Sequence, residues 1–148
     1  MTVAPERSAV ALRHGRDLVS PDEFETLAAF CADEYNMARA LADRVMDQAL
    51  AMIFVMGATR SGDTMAPSEA VDPGWHTAIL HTEWYAGFCQ KHFGYLLHHK
   101  PNSKMRTKGL MADATARIEA EGFHVDRILW GTRADCNPPA CCGDGPCC

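Results

Sequence analysis

Apolar residues recur every three or four positions through most of this chain, and no stretch alternates strongly enough to argue a strand. The first helix is announced by Ser20-Pro21-Asp22-Glu23, in which Ser20 can cap, Pro21 suits the first helical position and Glu23 completes a capping box. Phe24, Leu27, Ala28, Phe30 and Cys31 then keep a helical period, with a bend or break expected near Ala32 to Asn36. From Asn36 to about Met56 the residues Met37, Leu41, Val45, Ala49, Met52, Ile53 and Met56 step mostly by three or four. Arg39, Asp43, Asp47 and Gln48 fall between them. This predicts an amphipathic helix that turns apolar all round at its C-terminal end, which should lie in the core. Gly57 offers a stop, and Thr59 to Ser68 reads as a loop.

Asp72-Pro73-Gly74 reads as a cap and first turn, opening one helix that runs to about His92 and ends at Gly94. Trp75, Ile79, Thr82, Ala86, Cys89 and Phe93 share one face. His81, Tyr85, Phe88 and His92 form the next stripe, and His76, Leu80 and Glu83 a third. A further helix is expected over Lys104 to Glu121, followed by apolar anchors at Phe123, Val125, Ile128, Leu129 and Trp130. The expectation is an all-α fold: a single domain of about four or five helices over residues 19–133, an N-terminal tail over 1–18 and a Cys-rich tail over 134–148.

Composition narrows the function classes. With 148 residues, 47% apolar and 22% charged, the chain fits one domain able to bury a core. Lys and Arg total 14 against 19 acidic residues, a formal charge of -5 with no basic run, which excludes nucleic acid as the expected partner. The most apolar stretch, Ala49 to Ala58, is about half the roughly 20 residues that a spanning helix needs, so no membrane segment is expected. Nothing near Met1 reads as a secretory signal, and the default compartment is the cytoplasm. Loops for nucleotides, the serine-hydrolase elbow and the H-E-x-x-H zinc motif are all missing.

The densest chemistry runs from Asp72 to Pro101. His76, His81, His92, His98 and His99 stand beside Cys89, and imidazole with thiolate is the ligand set that suits Zn, Cu or Fe. His76 and His81 are five apart, about 140° around a helix, so both cannot easily face one ion. The economical site takes His76, one of His98 or His99, and a thiolate from Cys89 or Cys136. If a coordination position stays open, the ion activates water or an oxygen species as a small metalloenzyme, with Glu83, Tyr85 or the second loop histidine handling protons for a small-molecule or peptide substrate. The competing structural reading makes Asp72 an N-cap, Cys89 a small core hydrophobe, His76 a packed side chain and Glu83 a solvated one.

Two other classes stay open. Trp84 and Tyr85 could belong to a protein-interaction face with the histidines merely structural. Alternatively Cys136, Cys141, Cys142, Cys147 and Cys148, crowded at the C-terminal end on turn-forming residues, could act as a thiol or soft-metal carrier, since their spacing is not that of a zinc ribbon.

The segments D-x-x-W-H (Asp72, Trp75, His76), L-x-T-x-x-Y-x-x-F-C (Leu80, Thr82, Tyr85, Phe88, Cys89), Gly94 and H-H-x-P (His98, His99, Pro101) resemble the bacterial relatives of the glycine-rich domain-containing protein family. Gly122-Phe123, Val125-Asp126, Leu129-Trp130 and Ala134-Asp135-Cys136 resemble the tail segment of the same relatives, so that the likeness covers roughly residues 20 to 136. It implies a helical domain and little about chemistry. The doubled C-terminal cysteine pairs depart from its pattern.

Overall fold

The computed structural model describes residues 10–62, 64–100 and 108–131, of which 108–112 are described by backbone alone. Among these are six α-helices, a 3-10 turn over Gly15–Leu18 and one isolated parallel bridge between Arg13 and Phe123. The expected N-terminal residues 1–9, the start of the helix at Lys104 and all five C-terminal cysteines lie outside the described residues.

Helix α1 spans Pro21–Glu34, and its start is the reciprocal box that the sequence announces. The Glu23 backbone N–H donates to Ser20 Oγ (3.1 Å), and the Ser20 N–H donates to the Glu23 carboxylate (2.7 Å). Asn36, with φ of 49°, ends the segment, and the Met37 N–H closes back onto the Ala32 carbonyl. Helix α2 spans Arg39–Ala58 and is the centre of the fold. From Val45 to Gly57 every residue but the half-buried Phe54 is buried, as an all-round apolar half requires.

Asp47 and Gln48 are buried within that stretch, although the pattern alone places them on the polar side. The 3-10 turn and the segment around residues 124–130 cover that side. Gly15 meets α2 so closely that a Cβ there would lie 1.9 Å from the Asp47 carbonyl oxygen, so no larger residue fits. The Asp47 carboxylate accepts from the Arg16 backbone N–H (3.0 Å) and from Gln48 Nε2 (3.2 Å). Gln48 satisfies three groups of the C-terminal segment. Its Oε1 accepts from Trp130 Nε1 (2.9 Å) and the Asp126 N–H (3.0 Å), and its Nε2 donates to the His124 carbonyl (3.1 Å). Burial of these polar atoms is tolerable because they are paired.

Helices α3 (Asp72–Leu80) and α4 (Thr82–Phe93) replace the single helix expected over this stretch. Neither Gly nor Pro marks the break. His81 makes it, with φ of -84° and ψ of 65°, while its Nδ1 bonds the Thr77 carbonyl at 2.8 Å and its ring packs edge-on against Phe30. That carbonyl is the one the His81 backbone N–H reaches only at 3.4 Å, so the side chain competes with the helix for it. Helix α4 stops at Gly94 in the left-handed region (φ 75°). Helix α5 (Lys108–Ala120) buries Ala114, Thr115 and Ile118, and the short α6 (Arg127–Trp130) buries Leu129 and Trp130. Asp126 caps α6 and receives both arms of the Arg44 guanidinium (2.7 and 3.0 Å). Burial alone would raise its carboxyl, but the Arg44 and Leu129 bonds outweigh that and hold it below the ordinary range.

No described helix is long and apolar enough to cross a membrane.

A Gln48→Leu variant leaves the Trp130 and Asp126 N–H groups and the His124 carbonyl unpaired. It should lose at least about 3 kcal/mol in urea denaturation, given roughly 1–3 kcal/mol for each of the three stranded groups. Arg39→Ala, which removes surface pairs with Glu25 and Asp43, should cost about 1 kcal/mol by the same measurement. A pH effect follows from His92, whose Nε2 is buried without a hydrogen-bond partner and whose pKa burial pushes down. The unfolded chain takes up this proton near its ordinary value, about 6.5, before the folded chain does. Stability should therefore be full above that pH and fall as pH drops towards 5. Urea midpoints at pH 7.5 and 5.5 should differ less in His92→Phe than in the wild type.

Candidate functional site

The N-terminal turn of α3 is pressed onto α2 at Gly74, where a Cβ would come within 2.6 Å of Ala49 Cβ and 3.0 Å of the Val45 carbonyl oxygen. This close approach sinks Trp75 into the core and leaves Asp72 and His76, four apart, on one stripe. Asp72 stands inside the first turn of α3, with Val71 in the cap position, so it is not the N-cap that the pattern suggests. Its Oδ2 instead lies 3.3 Å from His76 Nδ1.

After Gly94 the chain turns back over the helices. The Tyr95 hydroxyl donates to the Gly57 carbonyl (2.7 Å), and the Tyr85 hydroxyl donates to the Leu97 carbonyl (2.5 Å). Between these anchors and Lys100 the exposure alternates: Leu96 out, Leu97 in, His98 out, His99 partly in, Lys100 out. This is the two-residue period of extended chain. Of the adjacent histidines it therefore selects His99 to face α3 and leaves His98 in solvent.

His99 completes a linear chain of contacts. Trp75 Nε1 donates to His99 Nδ1 at 2.7 Å, and His99 Nε2 lies 3.2 Å from His76 Nε2. The rings of His76 and His99 meet near-perpendicular (79°), with centroids 5.0 Å apart. Donor chemistry then fixes the protons. An indole N–H can only donate, so His99 Nδ1 is the acceptor and the neutral ring carries its hydrogen on Nε2. That hydrogen points at His76 Nε2, which must supply a lone pair, and His76 keeps its own hydrogen on Nδ1, facing Asp72. Trp75, His99, His76 and Asp72 are thus ordered in one direction, N–H to acceptor, from the core to a carboxylate.

The other residues singled out by the sequence are placed elsewhere. Cys89 is wholly buried in the core beside Tyr85. Tyr85 is itself buried, and desolvation raises its hydroxyl pKa far above the ordinary value. Glu83 is exposed on α4. Trp84 is half-buried, with its Nε1 bonded to Glu23 (3.2 Å), so Trp84 and Tyr85 do not form one exposed face. Cys136 lies outside the described residues. Among the described residues no three His, Cys, Asp or Glu side chains converge as one ion would require. Asp72 and His99 approach opposite nitrogens of His76, which makes a line and not a cage. Trp75 had no signal of its own as a site residue, because its size and helical spacing already account for it as core.

No curated protein and no solved structure matches the chain. Comparison with known families matches residues 24–119 to the UCP032817-like family. This corrects the resemblance to the glycine-rich domain-containing protein family drawn from the D-x-x-W-H and Y-x-x-F-C segments. The structure supplies the reason such spacings mislead: Trp75, Tyr85, Phe88 and Cys89 are buried in the shared core of α3 and α4, where many helical domains would place residues of these kinds. With well over half its length matched, the chain belongs to the UCP032817-like family.

Proposed function

We propose that the Asp72–His76–His99 chain is a general acid–base site acting on a small molecule that carries a polarised oxygen. The observation that carries this reading is the bond from Trp75 Nε1 to His99 Nδ1, because it fixes which way the protons run. A substrate oxygen that displaces the bond between His99 Nε2 and His76 Nε2 meets unlike groups. His76 Nε2 presents a lone pair, while the Asp72 carboxylate at Nδ1 orients the ring as general base. His99 Nε2–H presents a neutral donor to the oxygen that gains negative charge, and Trp75 keeps it in that tautomer. His76 takes the proton and returns it, while His99 binds the oxygen as a donor. Glu83 and Tyr85 have no part in this scheme.

A second reading rests on the separation of the two Nε2 atoms. At 3.2 Å it is close to the edge of a tetrahedron with metal–nitrogen bonds of about 2.0–2.1 Å, so a Zn, Cu or Fe ion could be shared by His76 and His99. That arrangement needs the His99 hydrogen on Nδ1, where it would confront the Trp75 N–H, so metal binding has to break the Trp75 bond.

Trp75→Phe therefore separates the readings. If the site is acid–base, long-range nitrogen–proton spectra of the wild type show His99 protonated at Nε2 and His76 at Nδ1, and this order is lost in Trp75→Phe. Hydrolysis of p-nitrophenyl acetate should fall about a hundredfold in His76→Ala, at the low end of what a positioned base contributes, and should fall in Trp75→Phe as well. Should both variants retain the wild-type rate, or His99 prove protonated at Nδ1, the acid–base site is rejected. If the metal reading holds, untagged protein retains stoichiometric metal, His76→Ala loses it, and Trp75→Phe binds zinc more tightly than the wild type.

A further inference from the structure

A concave surface lies along α4, on the C-terminal side of the His81 break. It is an open groove of about 700 Å³ between the Leu18–Val19 segment, Glu23 at the start of α1, and α4. Its size is within the range of small-ligand sites.

Two parallel rows on α4 line it. Trp84, Phe88 and His92, each four apart, form an aromatic wall, with ring centroids 5.2 Å apart between Trp84 and Phe88 and 4.4 Å between Phe88 and His92. Displaced by one residue is the row Glu83, Gly87, Lys91: an anion, a gap and a cation. Glutamate near the start of α4 and lysine near its end also complement the helix dipole. Gly87 has no such explanation. It sits in the middle of a helix, where glycine costs stability relative to alanine. A Cβ built on it meets nothing within 4 Å, so the packing does not demand its absence. The missing side chain leaves the helix backbone bare at the floor of the groove.

The remaining charges define what could lie there. Glu23 is already committed: one carboxylate oxygen accepts from the Ser20 N–H and the other from Trp84 Nε1, and these bonds with nearby Lys91 hold its pKa below the ordinary value. His92 is kept towards neutrality by burial, and the His81 Nδ1 atom is engaged with Thr77. Glu83 and Lys91 thus stand as opposite charges on either side of the gap, about 12 Å apart along the helix axis at 1.5 Å per residue.

We propose that this groove binds a short peptide with both termini free and an aromatic side chain, its ammonium towards Glu83, its carboxylate towards Lys91 and its ring against Trp84 and Phe88. An extended chain of two or three residues covers roughly 7–10 Å, which the two side chains can bracket. The bare backbone at Gly87 gives the peptide room to lie flat.

Gly-Phe-Gly is the probe, titrated calorimetrically into the full chain alongside its N-acetylated and its C-amidated forms. The free peptide should bind, and blocking either end should weaken it about tenfold, the loss of one charge contact. Gly87→Leu should abolish binding while its thermal midpoint stays at or above that of the wild type, because the added side chain points into open space and improves helix propensity. A Gly87→Leu variant that binds as well as the wild type, equal binding of the blocked peptides, or no binding of the free peptide at about 10 mM, roughly tenfold above a 1 mM Kd, would each overturn the proposal. Because His76 takes no part, His76→Ala should bind the peptide normally, which keeps this test separate from the acid–base site.

Discussion

Everything in this fold answers to the burial of α2. A helix whose second half is apolar on every side must be surrounded, and the surrounding elements have to come close. They do so at glycines. Gly15 admits the 3-10 turn against the Asp47 carbonyl, Gly74 admits α3 against Val45 and Ala49, and Gly57 lets the Phe93 ring rest where a Cβ would stand 2.3 Å away. Each contact brings the neighbour's backbone or ring to a distance that a side chain would forbid. The core is therefore built from close approaches around one helix, with the paired Asp47 and Gln48 side chains serving as its internal fastenings.

The candidate acid–base site is a consequence of that arrangement. Gly74 seats the start of α3, which buries Trp75 and Asp72 and leaves His76 partly exposed beside the Asp72 carboxylate. Tyr95 and Tyr85 then fasten the returning chain by its own backbone and by the Gly57 carbonyl, so His99 arrives over α3 at hydrogen-bonding distance from both Trp75 and His76. Trp75 thereby belongs to core and site at once: its ring is packed at the centre while its single N–H sets the tautomer of a histidine near the surface. The break at His81 separates this site from the groove on α4, giving one stretch of sequence two faces with different chemistry.

Much of this architecture can be read from residue order, because the signals are local. The capping box at Ser20 and Glu23, the helical spacing of Leu27, Val45, Met52 and Ile53, and the stop at Gly94 all depend on groups within one or two turns of each other. The break at His81 is not legible in the same way. No Gly or Pro announces it, and it arises where an imidazole competes for a single carbonyl while packing on Phe30 from another helix. The polar look of Asp47 and Gln48 misleads for a related reason. Whether such a residue faces water depends on what covers it, and the covering segments come from both ends of the chain.

The residues alone determined that this is a helical domain with one helix apolar all round in its C-terminal half and a concentration of imidazoles around α3, since periodicity and capping act over a few residues. Only the tertiary structure decided that His99 and not His98 meets His76, that Trp75 donates to it, and that Cys89 stays apart in the core. Those choices turn on angles and separations of a few ångströms between segments far apart in sequence. They are set by how tightly each segment can approach α2, a quantity that no local pattern contains.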